Sequence, residues 1–579
     1  MPIRMKLSHP SLILRRIIAG MDERLLLMII AIFVGACGGL AAVILNRLLF
    51  EIQEILQPLR IHWYALVLPA CGAALSALFL GYIMKEGAGH GVPEVIYSVS
   101  KRGGLLRLRS SFSRIISSTL TIASGGSAGP EGPVVISGAS IGSNIAKVFY
   151  LNDRQRTTMV GCGAASAISS IFNAPIAGIV FAVEVILGEW TPVNLIPIAI
   201  ASVIGTEVSR LMQGNQIPFS HHQFQHTLLD IVASVGIALL AALSSVLFTR
   251  LLNNTVARSH ALIPHGWLRA AIGGASVGLL GLAFPSVLGE GYHVVRTIIE
   301  NQYQTGLVIV AFATVAKIVA TSLTIGTGGS GGIFAPCLVI GSLGGLAYQR
   351  ALAFLWPGIP WAEEGFFAML GMAGVMSGTL QAPLTGIFLI VEVTGGYGVI
   401  LPLILVSAVS ATLCHYMEPI SFYYRRLVTR GELLRPRTDA RLLADMNISE
   451  LIETDCIVVQ EDMRLGDMIP IIEQACRDYF PVEDSKTGQF LGLIHLDHIR
   501  PYLFNPGLHN AIIMAEIMDV HVPRVSPFDD MKEVLELMER THAWSLPVVH
   551  RNRFLGMVSK GTILDRYRKE LIVQSYQEV

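Results

Sequence analysis

The chain has 579 residues, a formal net charge of zero and a mean hydropathy of +0.57, with 52% hydrophobic and only 15% charged residues. This composition excludes an ordinary soluble protein and indicates an integral membrane protein. The zero net charge argues against a nucleic-acid partner, and the seven cysteines, without CxxC spacing, predict neither a disulfide framework nor a metal centre.

Apolar runs long enough to cross a bilayer begin at 25–49 and 63–84 and continue to 406–414. Basic residues stand just outside the first and the last of these runs: Arg4, Lys6, Arg15, Arg16, Arg425, Arg426 and Arg430. The positive-inside rule therefore predicts a multi-pass protein with both ends in the cytoplasm. We expect the membrane to be the plasma (inner) membrane of a microorganism.

Near residue 430 the apolar, glycine-rich sequence gives way to an ordinary mixture of charged and β-branched residues. We therefore expect an all-α membrane domain with broken helices, followed by a soluble α/β region. The predicted segments are a cytoplasmic start at 1–22, the transmembrane domain at 23–427, a linker at 428–445, and a soluble pair of modules at 446–571, divided into about 446–504 and 512–571.

The membrane region contains a repeated loop. STLTIASGGSAGPEGP at 118–133 recurs as TSLTIGTGGSGGIFAP at 321–336, an offset of 203 with eight of sixteen residues identical. Two shorter segments are also repeated: 87–92 is similar to 289–294, and 173–179 is similar to 381–387. The region is thus two homologous halves, about 25–212 and 227–415. Halves of opposite orientation would let equivalent helix ends meet at one point.

Glycine-rich loops followed by apolar helices occur at 89–93, 129–133 and 332–336. A helix N-terminus presents unpaired N–H groups and about half a positive charge, and glycines let a ligand approach the backbone closely. The loops contain no Lys or Arg. They predict a site that holds a monovalent anion weakly enough to release it. Close helix packing is the alternative interpretation.

Glu131 is an ionisable residue inside an apolar stretch, which marks a functional-site hypothesis. Beside anion-attracting helix ends, its carboxylate would compete with a transported anion, and protonation would free the site. We therefore predict that Glu131 is a gate. Glu184 and Glu392 end apolar helices at equivalent repeat positions, and for these two acids we predict a structural hydrogen-bonding role.

These stretches together resemble the CLC family of chloride channels and proton/chloride antiporters. GHGVP at 89–93, GPEGP at 129–133 and GIFAP at 332–336 carry the resemblance, together with SFYY at 421–424. The resemblance implies a homodimer with one chloride pathway in each subunit and Glu131 as the external gate. The residues implied at the anion site are His90, Gly132, Ile333, Phe334 and Tyr423, with backbone N–H groups from Ile333 and Phe334 and the hydroxyl of Tyr423.

Two positions in the loops depart from the family pattern. His90 replaces the family's central serine, so the donor is an imidazole that would add acid dependence if it became a cation. An alternative is that His90 points away from the pathway. Pro130 replaces the usual arginine; it suits the first turn of a helix but removes one N–H group.

A third departure concerns the transport mode. Family antiporters usually carry an internal proton-transfer glutamate directly after the position matched by Glu184, and here that residue is Val185. The valine favours a gated chloride channel. A proton/chloride antiporter of the same family is the alternative, and a regulated divalent-cation transporter a remote one. An enzyme is not expected, since no nucleophile–base pair, metal cluster or P-loop is found.

The tail resembles a pair of CBS domains. Each half reads strand, turn, strand and helix, at 479–482 and 490–494, then at 545–549 and 554–558. The family's nucleotide-binding run ends in an Asp that is missing after Ser559, and the first copy has His495 and His498 instead of the expected hydroxyl and Asp. We therefore expect no cofactor and a structural dimerisation role, with adenine-nucleotide binding as the alternative.

Overall fold

The computed structural model describes residues 22–61, 66–87, 91–215, 219, 224–429, 446–475 and 477–576. The chain divides into two compact units, Met1–Leu433 and Leu434–Val579. Within the described residues, seven helical segments are long and apolar enough to cross a membrane: Glu23–Leu59, Pro192–Gln213, Leu228–Leu262, Gly266–Ala283, Leu307–Gly326, Phe334–Leu355 and Tyr397–Arg425. The predicted multi-pass, mostly helical membrane protein is confirmed.

The described part of the membrane unit contains two sets of eight helices that follow one another in the same order. The first set is α1 Glu23–Leu56, α2 Leu68–Leu78, α3 Val92–Lys101, α4 Ser110–Ala123, α5 Glu131–Val148, α6 Asp153–Phe172, α7 Pro175–Phe181 and α8 Pro192–Gln213. The second set is α9 Leu228–Leu262, α10 Gly266–Ala283, α11 Tyr292–Ile299, α12 Leu307–Gly326, α13 Phe334–Leu355, α14 Glu364–Leu380, α15 Pro383–Thr394 and α16 Ile400–Met417. A further helix, α17 Phe422–Thr429, follows.

The two halves break their helices by the same local chemistry. α6 ends at Asn173 and α14 at Gln381, both in the left-handed conformation with φ near 54° and 55°. Such a residue terminates a helix. Pro175 and Pro383 then begin α7 and α15, where a missing N–H group costs nothing. The sequence pattern Asn/Gln-Ala-Pro therefore encodes a helix break in each half.

The halves meet through equivalent residues of the repeated loop. Gly129 donates its N–H to the carbonyl of Gly332 at 2.9 Å, and Gly332 donates to the carbonyl of Gly129 at 2.6 Å, in an antiparallel pair. Two further bonds are exchanged in the same way, Ser127 N to Thr324 Oγ1 at 3.0 Å and Ser330 N to Thr121 Oγ1 at 3.2 Å. The two halves thus run in opposite directions where they meet.

The loops before α3 and α11 show which glycines of the two halves occupy equivalent positions. Gly91 and Gly291 each precede a helix with φ near +83°. A Cβ on Gly91 would lie 2.9 Å from Ile136, and one on Gly291 would lie 2.7 Å from Val339. The two positions are therefore equivalent, and the sequence pairing of Gly89 with Gly291 is wrong by two residues. Close backbone packing and positive φ both demand glycine at this one place.

The second unit contains two similar α/β modules. Strand β1 Val459–Gln460 pairs in parallel with β2 Tyr479–Glu483, which pairs antiparallel with β3 Phe490–His495. In the second module β4 Ser545–His550 pairs antiparallel with β5 Arg553–Ser559. The helices are α18 Leu465–Gln474, α19 Leu496–Leu503, α20 Met514–Ile517, α21 Met531–Arg540 and α22 Lys560–Tyr576. The predicted order of strands and helices is confirmed.

In each module, a residue that precedes its strands pairs with a strand of the other module. Glu453, ahead of the first module, exchanges backbone hydrogen bonds with Met557 in β5 of the second. Asp519, ahead of the second module, does the same with Leu493 in β3 of the first. Backbone hydrogen bonds therefore join the two modules at both of these places.

Candidate anion and gate site

Glu131 lies where the two repeated loops meet. It is the first residue of α5 and is fully buried, with 0% of its surface exposed. Phe334, its repeat counterpart, is the first residue of α13 and is 1% exposed. The Gly129–Gly332 hydrogen bonds hold the starts of these two helices together. A carboxylate thus sits at the junction of two helix N-termini.

The two carboxylate oxygens of Glu131 have different surroundings. Oε1 accepts a hydrogen bond from the hydroxyl of Tyr292. Oε2 lies against the paired glycines: a Cβ built on Gly129 would be 2.0 Å from it, and one on Gly332 would be 3.2 Å away. Oε2 has no hydrogen-bond partner among the described residues. The backbone N–H of Ala335, in α13, is nevertheless close enough to act on the carboxylate.

Neither helix has a side chain that caps its N-terminus. The N-cap residues are Pro130 for α5 and Ile333 for α13, and neither provides a capping hydrogen bond. The N–H groups of the first turn therefore carry their partial positive charge into the buried junction. Gly132, Ile333 and Phe334, three of the residues predicted at the anion site, all belong to these turns or their caps and are buried.

Tyr423 supplies a hydroxyl near the same junction. It is 1% exposed, lies in α17, and packs against Phe422 with ring centroids 5.6 Å apart. Its hydroxyl has no hydrogen-bond partner in the part of the chain that the structure describes. Tyr423 and Cys337, in the first turn of α13, are both close enough to Glu131 for its charge to act on them. The predicted site residues of the two halves and of α17 are thus close together.

His90 falls outside the described residues, so its predicted part in the anion site stays a prediction. The loop becomes described at Gly91, the N-cap of α3.

Glu184 and Glu392 cap helices of the opposite half. Glu392 accepts hydrogen bonds from Ile176 N at 3.0 Å and Ala177 N at 2.7 Å, in the first turn of α7. Glu184 accepts from Leu384 N at 3.2 Å and Thr385 N at 2.7 Å, in the first turn of α15. The predicted structural role is confirmed. These two helix N-termini are therefore satisfied within the protein.

Val185 lies in a π-helical segment, Ala182–Leu187, that continues α7, and it is 3% exposed. Its backbone carbonyl accepts a hydrogen bond from the hydroxyl of Tyr424 at 2.8 Å. The side chain has no titratable group, so this position cannot accept a proton.

Two buried basic side chains donate hydrogen bonds to backbone carbonyls ahead of α3 and α11. Neither was predicted from the sequence. Lys317, in α12, is 0% exposed and donates to the carbonyls of Val287 and Gly289, each at 3.0 Å. Arg114, 203 residues earlier in α4, is 3% exposed and donates to the carbonyl of Gly87 at 2.9 Å. The shared repeat position was the available signal. Lys317 thus bonds to the loop that precedes α11, and Arg114 bonds to Gly87, the last described residue before α3.

The hydroxyls of the tail's nucleotide motif are already engaged by an acid. Ser559 donates to Oε1 of Glu453 at 2.6 Å, and Thr562 donates to the same oxygen. Arg477 pairs with Oε2 of Glu453 at 3.1 Å. The hydroxyls of this copy of the motif are therefore already hydrogen-bonded to a carboxylate of the same chain.

A family model described as "Voltage gated chloride channel" matches residues 71–415, and a CBS domain model matches 514–569. A Ralstonia nicotianae protein named as a ClcB-like chloride channel is 31% identical over 428 residues, which cover 71% of this chain and 98% of that protein. The H(+)/Cl(-) exchange transporter ClcA of Vibrio vulnificus is 31% identical, covering 61% of this chain and 76% of the transporter. That of Klebsiella pneumoniae is 30% identical, covering 69% and 87%.

Solved structures share the fold. A slow cyanobacterial Cl-/H+ antiporter superposes with a TM-score of 0.64 at 24% identity, covering 71% of this chain and 99% of the antiporter. A eukaryotic CLC transporter superposes with a TM-score of 0.61 at 18% identity, covering 93% of this chain and 97% of the transporter.

Proposed function

The chain belongs to the CLC family of chloride channels and transporters, and from that premise we propose that it exchanges chloride for protons, with Glu131 as the gate. One observation carries this proposal: the buried Glu131 carboxylate lies at the junction of the α5 and α13 N-termini. The N–H groups there attract any monovalent anion. An ionised Glu131 and a chloride ion would compete for the same attraction.

This competition links the two ions. A protonated Glu131 no longer carries the charge that the N–H groups attract, so chloride displaces it. When chloride leaves, the carboxylate can release its proton and return to the junction. The relatives named H(+)/Cl(-) exchange transporters, at 30–31% identity, support this coupled mode over passive flow.

Passive, gated chloride conduction is the second candidate, and Val185 is the observation that favours it. A buried valine cannot relay a proton from the inside towards Glu131. The relative from Ralstonia nicotianae is named as a channel. For exchange, protons must therefore reach Glu131 by a route that does not use the side chain of Val185.

A flux assay in proteoliposomes separates the two modes. An outward chloride gradient is imposed with no pH gradient, and the internal pH and chloride efflux are recorded together. Exchange predicts that chloride efflux drives protons inward, so that a pH gradient builds up across the membrane, and that Glu131→Gln abolishes this movement while chloride still flows. Glu207→Gln, which changes an exposed acid of α8 that pairs with Arg210, is the matched control.

Each outcome decides between the proposals. Chloride efflux without proton movement in the wild type contradicts exchange and supports the channel. Chloride flux with unchanged pH dependence in Glu131→Gln contradicts the gate. Absence of chloride flux from a folded protein contradicts both modes.

We further propose a homodimer in the plasma membrane of a microorganism, with a complete pathway in each subunit. The pathway within each subunit is supported by Glu131, Phe334 and Tyr423, which come together within one chain. The expected mass in detergent, after subtraction of bound detergent, is twice the chain mass of 62.6 kDa. A single-chain mass from a protein active in liposomes would contradict the dimer. Protease access to the tail only in inside-out vesicles would support cytoplasmic termini.

A further inference from the structure

A tyrosine of the second half holds the gate carboxylate of the first half. Tyr292 is the first residue of α11 and donates its hydroxyl to Oε1 of Glu131. We propose that Tyr292 is a positioning residue that retains the ionised carboxylate in the anion site and so sets how readily chloride replaces it. The inference rests on the proposed function, because it takes Glu131 as the gate.

The tyrosine ring is fixed by neighbours on both sides. Phe172, at the end of α6, meets it edge-to-face with centroids 6.4 Å apart, and Phe219 meets it at 5.6 Å. Phe219 is itself tied to the end of α15 by a hydrogen bond from its N–H to the carbonyl of Val393 at 2.9 Å. The ring therefore cannot follow the carboxylate when Glu131 moves, so the hydrogen bond must break.

The backbone that carries Tyr292 is also anchored. Lys317 donates to the carbonyls of Val287 and Gly289, just ahead of Gly291, the N-cap of α11. Gly291 has no side chain, and a Cβ there would lie 3.4 Å from the Lys317 amine. The buried amine of Lys317 thus anchors the loop that leads into α11, where Tyr292 is the first residue.

Several titratable groups surround Glu131 and enter its pH response. They come from the loop before α11, from α11, α13 and α17: Glu290, Tyr292, Cys337 and Tyr423. Lys317, in α12, acts on Glu290. Tyr292 alone among them donates a hydrogen bond to the carboxylate in the described structure. Its removal therefore changes one defined interaction and leaves the surrounding charges in place.

The effect of this bond depends on the protonation of Glu131. A hydrogen bond to a charged group typically changes an equilibrium by about ten-fold or more, whereas a neutral pair changes it less. Tyr292→Phe removes the hydroxyl and keeps the ring. We expect chloride efflux at pH 7.5 to rise about ten-fold relative to wild type, with little change at pH 4.5, where Glu131 is protonated more often.

Tyr348→Phe is the matched control, since it also removes a hydrogen-bonding tyrosine hydroxyl, but one that donates to the backbone carbonyl of Ala233 at 2.8 Å and not to Glu131. It should leave the ratio of flux at the two pH values unchanged. In a Glu131→Gln background, Tyr292→Phe should have a much smaller effect, because the neutral amide is a weaker acceptor than the ionised carboxylate. Calorimetric chloride binding at pH 7.5 should strengthen by a similar factor in Tyr292→Phe alone.

An unchanged flux ratio and chloride affinity in folded Tyr292→Phe overturn the positioning role, even if Glu131→Gln abolishes proton coupling. An unchanged Glu131→Gln protein overturns the gate proposal instead. If Tyr292→Phe does not yield folded protein, Phe219→Leu removes ring support and leaves the hydroxyl. It should shift the flux ratio in the same direction by a smaller factor, and an unchanged ratio overturns the inference.

Discussion

Gly129 and Gly332 donate backbone hydrogen bonds to each other, at 2.9 and 2.6 Å. They occupy the same position in the two halves, 203 residues apart, and each is followed by a helix whose N-terminus points into the site. The pair joins the halves at the point where Glu131 is held. The space beside Oε2 of Glu131 exists because neither residue has a side chain.

Gly129→Ala should therefore disturb the gate directly. The new Cβ would lie 2.0 Å from Oε2 of Glu131 and 2.9 Å from Cβ of Ala335, closer than atoms can approach. We expect the carboxylate to be displaced, with chloride flux at pH 7.5 raised about ten-fold and proton coupling reduced. Gly81→Ala is the control, since a Cβ there meets nothing within 4 Å. Wild-type flux and coupling in folded Gly129→Ala would contradict this account.

Glu184 should matter for stability and not for coupling. Glu184→Ala leaves the N–H groups of Leu384 and Thr385 without the carboxylate that caps α15. We expect a loss of about 1–3 kcal/mol in the free energy of unfolding, seen as a lower thermal unfolding midpoint in detergent. Glu392→Ala should behave alike, since it uncaps α7 in the same way. A changed proton-to-chloride ratio with unchanged stability would argue for a transport role.

His90→Ser should alter anion preference or acid response. The imidazole stands where the family carries a neutral hydroxyl, and as a cation it would strengthen anion binding in acid. We expect the chloride-to-nitrate flux ratio, or the increase in flux between pH 7.5 and 5, to change by about three-fold or more. His495→Ser, in the tail, is the control. An unchanged protein would put His90 outside the pathway.

We propose that adenine nucleotides do not regulate this chain through the motif that contains Ser559. The carboxylate of Glu453 already takes the hydroxyls of Ser559 and Thr562. Adding ATP or AMP at about 1 mM should leave the thermal midpoint of the full chain and its chloride flux unchanged, because a ligand that binds the native state raises that midpoint. A saturable rise in wild type that Ser559→Ala abolishes would contradict the proposal.

The local features of this protein could be predicted from its sequence. The apolar runs, the repeat with its offset of 203, the helix N-termini at the loops 129–133 and 332–336, and the two tail modules all follow from hydropathy and from glycine and proline chemistry. Pro130 was expected in the first turn of α5 and is its N-cap, one residue earlier. Such small errors are typical at helix ends, where caps depend on neighbouring elements.

The sequence by itself thus determined the two halves, the candidate gate and the absence of Lys or Arg within the glycine loops. Only the tertiary structure decided that Glu131 meets Tyr292, 161 residues away, and that Glu184 and Glu392 cap each other's halves. It also decided that Lys317 donates to the carbonyl of Val287 and Arg114 to that of Gly87. The physical reason is that hydropathy and backbone propensity act over a few residues, whereas these partners are brought together by the packing of helices that are separated in the sequence.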